Sequence, residues 1–171
     1  MTIGRASLVK ACVAVAALAV AAVPQASAAA TAESVHGFSS TGMDFINSDN
    51  SVLAQCQNEF SGRVTSDDGS GRVTAYVDSI VVNCSGARVT PSALPWTLNL
   101  LEDRGYTISG VDLNITTARG TCRYTGAFEG FMQFPNGVYD LRGSLTRQSG
   151  ACGGTERLNV SALSEVINTT N

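Results

Sequence analysis

Lysine is almost missing from this sequence: Lys10 is the only one in 171 residues. Histidine is as scarce, with His36 alone. Aromatics reach 6% and charged residues 15%, the latter far below the roughly 25% usual for soluble domains. Each shortage removes a class of chemistry. Beyond residue 10 no lysine can act as a base or form a Schiff base. A Ser-His-Asp or Cys-His site needs a histidine held rigidly beside its nucleophile. His36 instead lies near the start of the chain, and no Gly-x-Ser-x-Gly elbow accompanies it. A net charge of −3 and few aromatics argue against a nucleic-acid partner, which wants a basic face and stacking rings.

What is present is small, polar and uncharged. Ser and Thr total 34 (18 and 16), Gly numbers 17, and 44% of residues are hydrophobic. That texture suits strands and turns, and the length suits one domain.

Residues 1–28 read as a secretory signal peptide. Arg5 and Lys10 give a basic start, Ala11 to Val23 carry no charge, and Pro24 precedes the small residues Ala26-Ser27-Ala28. Cleavage is expected after Ala28 or Ala30. The apolar run is short of the roughly 20 residues a spanning helix needs, so no membrane span is expected in the mature protein. The localisation that follows is secreted, extracellular or cell-surface. The mature chain then has no lysine, and its 9 Arg against 14 Asp plus Glu give a net charge of −5. Residues 29–40 are small and polar and are expected to be flexible, leaving 41–171 as a single β-sandwich domain.

Four cysteines remain after cleavage: Cys56, Cys84, Cys122 and Cys152. An even count in an exported chain reads as two disulfides. Zinc is a poor competitor, because there is no C-x-x-C pair and no nearby histidine. The segments 56–84 and 122–152 resemble one another. Each opens on a cysteine, runs to a Gly-rich or Pro-Asn-Gly turn, continues in alternation and closes on a cysteine. The pairing expected is therefore Cys56–Cys84 and Cys122–Cys152, each tying a hairpin.

Period-2 runs recur along the chain. Trp96, Leu98 and Leu100 alternate with polar residues, as do Val111, Leu113 and Ile115, and Leu158 and Val160. The apolar parity switches at Gly110, which predicts a bulge. No segment after residue 30 shows a helical stripe. Roughly eight strands are expected in an all-β, antiparallel β-sandwich or closed barrel. Trp96 is expected to be a core anchor. The tail 164–171 is expected to fray or to form an edge strand.

No motif marks a catalytic, cofactor-binding or metal site, and no cofactor is expected. Fourteen carboxylates could supply a glycosidase pair, such as Glu59 with Asp78 or Glu129 with Asp140. The stretches 47–51 and 67–71 loosely resemble calcium loops but lack the full pattern, and turn chemistry explains them better. Leu94-Pro95-Trp96-Thr97 resembles a sortase signal, yet it lies mid-chain with no apolar tail behind it.

Thr90-Pro-Ser-Ala-Leu-Pro-Trp96-Thr97, followed by the Ile108-Ser-Gly-Val111 strand, is similar to a stretch of the small exported bacterial proteins called activators of alkane oxidation. Cys122-Arg-Tyr-Thr-Gly126, Leu141-Arg-Gly-Ser-Leu145 and Gly150-Ala-Cys152 fit the same layout. The resemblance runs from about Cys56 to Val160. It implies a secreted or surface-associated protein linked to growth on hydrophobic substrates or to the extracellular matrix, and it transfers no catalytic residue. The function expected is non-enzymatic: binding of an apolar surface, a matrix polymer or further copies of itself, helped by an unpaired strand edge. The alternatives are a small carboxylate-dependent hydrolase and an enzyme inhibitor on a disulfide-braced scaffold.

Overall fold

The computed structural model describes residues 33–39, 41–101, 104–134 and 138–170. The expected signal peptide, both cleavage points and the Pro135-Asn136-Gly137 turn lie outside them. Ten strands follow in order: β1 Ser34–Ser39, β2 Met43–Asn47, β3 Val52–Asp67, β4 Arg72–Ser85 and β5 Arg88–Pro91. The rest are β6 Trp96–Leu101, β7 Gly105–Thr117, β8 Gly120–Phe134, β9 Val138–Gly150 and β10 Arg157–Thr170. Every ladder between them is antiparallel. Among the described residues there is no helix, and so none long and apolar enough to cross a membrane.

The strands form a closed eight-stave barrel. β1 and β2 follow end to end as one broken stave between β3 and β10. β5 and β6 make a second broken stave against β7. β10 closes the ring, pairing with β9 on one side and with β1 and β2 on the other. Of the two architectures compatible with the alternation, the barrel is the one that forms. Long strands bend at bulges, at Asp78 in β4, opposite Ser61 and Gly62, and between Ser109 and Val111 in β7. The second of these is the bulge expected at Gly110, whose φ is +75°.

One expectation about the chain ends is corrected. Residues 34–39 are not flexible but form β1, hydrogen-bonded on both sides, so the folded unit begins upstream of residue 41. Val35 anchors it in the core, and Gly37 sits against the Phe60 ring. In the tail, Glu165 and Val166 have neighbours in both β1 and β9, whereas 167–170 pair with β1 alone among the described residues, so this last stretch is an edge strand, one of the two outcomes expected for it. Short polar sequence hides a strand when its stability comes from its neighbours.

The interior is packed. Trp96, Tyr124, Tyr139, Phe45 and Phe60 fill it, and a cavity lined by Met43, Phe60, Trp96 and Phe128 measures about 10 Å³. That is at the limit for a single water, so this cavity is too small for an organic ligand. Trp96, Leu98 and Leu100 all point inward, as the alternation requires.

One end of the barrel is braced. Cys56–Cys84 joins directly facing residues of β3 and β4, with Cα atoms 3.9 Å apart. That is closer than the usual lower bound of about 4.4 Å for a disulfide and than the roughly 4.5 Å of the closer antiparallel pairs. Cys122–Cys152 ties β8 to the β9–β10 connection at a Cα separation of 5.4 Å. The Tyr124 hydroxyl donates to the Thr155 carbonyl (2.8 Å), and the Thr117 hydroxyl to the Cys152 carbonyl (2.6 Å). Both expected disulfides are present.

Closure also leaves a gap in the ladder beside β4. β4 pairs with β6 only over Arg72–Val77, while β5 pairs only with β7. Among the described residues, Asp78–Ser85 therefore has a ladder partner only in β3. The expected free edge exists as this short stretch, beside a groove of about 720 Å³.

Candidate functional site

The opposite end of the barrel carries an open apolar trough on its outer surface. Arg72 of β4 faces Leu101 of β6, Leu101 faces Gly105 of β7, and Gly105 faces Phe131 of β8. Leu101 and Phe131 thus form two walls, with a residue lacking a side chain between them. Phe131 is 51% exposed. The groove measures about 460 Å³, and Thr74, Asn99, Thr107 and Glu129 edge it one row further along the strands.

Backbone geometry dictates that gap. Gly105 has φ +145°, and a Cβ there would lie 2.1 Å from the Gly130 carbonyl oxygen. Gly130 is equally constrained, because a Cβ would fall 1.8 Å from the Tyr106 ring. Tyr106 packs edge-on against Tyr139 at 5.3 Å inside the barrel. The two glycines let a ring pack within and leave a hollow without.

Two guanidinium groups border the trough. Arg72 is largely exposed and lies 3.9 Å from Asp68, an i,i+4 contact too loose to neutralise it. Asp68 is occupied in its own turn, where the Ser70 hydroxyl and amide hold its carboxyl below the ordinary range. Arg104 donates its backbone N–H to the Leu101 carbonyl (2.9 Å), which sets it beside the same wall.

The other residues singled out in the sequence fall elsewhere. The Trp96 indole N–H donates to the Ala93 carbonyl (2.6 Å), so the ring is a satisfied core anchor. Its approach loop is fixed by Asp112, which is 6% exposed. Asp112 accepts three bonds from the Arg123 guanidinium at 2.5 to 3.1 Å and another from the Ser92 hydroxyl. Its backbone carbonyl accepts from the Ser92 N–H (2.9 Å). The Arg123 bonds outweigh burial and hold this carboxyl below the usual Asp value. The Pro91–Thr97 stretch is therefore a structural corner, not a sorting signal.

His36 lies on the outer face of β1, with its Nε2 2.9 Å from Glu59. Asp78 is taken by Arg63 at 2.9 Å, so Glu59 and Asp78 face different partners. Glu129 edges the trough, whereas Asp140 stands opposite Phe131 on β9. In the stretch 47–51, Asp49 bonds the Ser51 amide and hydroxyl; in 67–71, Asp67 and Asp68 bond Gly69 and Ser70. Both are Asx turns. Among the described residues no three His, Cys, Asp or Glu gather as a metal would require.

Family comparison matches residues 5–167 to the alkane oxidation protein activators described as PraA/PraB-like. The chain belongs to that family. The match begins ahead of β1, ends within β10 and includes the trough, both disulfides and the Asp112 corner. No curated protein and no solved structure matches the chain. For this PraA/PraB-like protein the trough is the feature that alternation did not reveal. Its signal was the pair Gly105 and Gly130 inside strand runs, where a glycine weakens a strand unless close packing requires it.

Proposed function

We propose that this protein is a non-catalytic, exported barrel that works at apolar interfaces and so aids growth on hydrophobic substrates. Membership of the alkane oxidation activator family supports the hydrophobic context. The outer trough walled by Leu101 and Phe131 is the observation that carries the reading to this molecule, because a packed lumen leaves the outer surface as the place for contact. Small exposed apolar features on a rigid scaffold adsorb without unfolding, and two disulfides supply the rigidity.

The experiment is adsorption of the mature protein, residues 29–171, to hexadecane droplets in buffer. Saturable depletion from the aqueous phase, with the near-native circular dichroism of the recovered protein, is the expected result. Protein that stays in the aqueous phase at all droplet areas, or that hydrolyses an ester or glycan panel through one Asp or Glu, would overturn the proposal.

A further inference from the structure

We propose that the trough at Gly105 binds a single long-chain carboxylate, with the alkyl chain between Leu101 and Phe131 and the head group at Arg72 and Arg104. This rests on the interfacial reading above and gives it a ligand class. From Arg72 on β4 to Phe131 on β8 the groove crosses three inter-strand gaps of about 4.8 Å, about 14 Å in all, and the two gaps from Leu101 to Phe131, about 10 Å, are the apolar part. That length suits an extended alkyl chain with its head group at the arginine end. The absent side chain at Gly105 lets the chain pass between the two walls.

Charge gives the path a direction. Both arginines lie at the Leu101 end, one facing it across the β4–β6 ladder and the other joined to its carbonyl. Guanidinium groups bind carboxylates through paired N–H bonds. Glu129 lies on the β8 side of the groove and disfavours an anion there. A carboxylate therefore has one orientation, and a cationic head group has the wrong one.

The probe is dodecanoate, titrated by calorimetry into the mature protein below the surfactant's micelle concentration and at low salt. One-site binding is expected, with two-dimensional NMR shifts in wild-type protein centred on Leu101, Gly105 and Phe131. The double variant Arg72→Gln/Arg104→Gln should weaken dodecanoate by about tenfold or more, the scale of a lost charge-assisted bond, and leave 1-dodecanol within about twofold. Phe131→Ser should weaken both. Equal binding of dodecyltrimethylammonium, shifts centred elsewhere, or indifference to the double variant would refute the assignment. So would light scattering that shows a dimer dissociated by Phe131→Ser, which would make the trough a contact between copies. Adsorption to hexadecane without dodecanoate binding would sink the trough proposal and spare the interfacial reading. Absence of both would sink both.

Discussion

Asp112 and Trp96 share one corner, and their roles follow from what each would lose. Trp96 is 1% exposed and meets Phe128 edge-on at 6.4 Å. Trp96→Ala should cost about 3–5 kcal/mol, read from urea unfolding by circular dichroism, because the cavity cannot refill. Asp112 acts through charge. Its folded pKa is depressed by Arg123, so folding favours its ionised form. The stabilisation is complete above the unfolded Asp value of about 3.9 and is lost as pH falls through the lower folded value. Asp112→Asn should therefore cost about 2 kcal/mol near neutral pH. The gap from wild type should narrow as pH drops below about 4, seen as converging melting temperatures. Trp96's burial was legible in its alternation with Leu98 and Leu100. Asp112's partners were not, because Ser92 and Arg123 are 20 and 11 residues away and only the folded ladder brings them together.

At the scale of strands and bridges, the sequence carried more than single residues did. Even cysteine count and parallel segment layout pointed to the correct pairing, because a hairpin places residues equidistant from its turn opposite one another. Cys122–Cys152 closes a separation of 30 residues. Cys122→Ser/Cys152→Ser should lower stability by about 3–4 kcal/mol in the chain-entropy account, measured by denaturant midpoint under non-reducing conditions. β1 was the element that local reading missed. Ser, His and Gly have no strong strand preference, and the segment is held by β3 and β10 rather than by its own composition.

Closure belongs to the whole molecule. β10 is the last strand made and the one that joins both sides of the sheet, so its ladders have the greatest sequence separation, up to Ser34 with Thr170. Deleting residues 157–170 should abolish the cooperative unfolding transition rather than lower it, because the edges of β1, β2 and β9 are exposed at once. A shortened protein that still melts in one sharp transition would show that closure is dispensable.

The sequence by itself determined an all-β chain, its disulfide pairing, the inward face of each main strand and the Gly110 bulge. These depend on spacing along the chain, which a period of two and a cysteine count report directly. The tertiary structure alone decided between sandwich and barrel, since both bury the same alternating residues and differ only in how the last strand finds the first. It also decided the trough. Leu101, Gly105 and Phe131 become neighbours only when β6, β7 and β8 lock into register, and a shift of one residue would turn each to the opposite face.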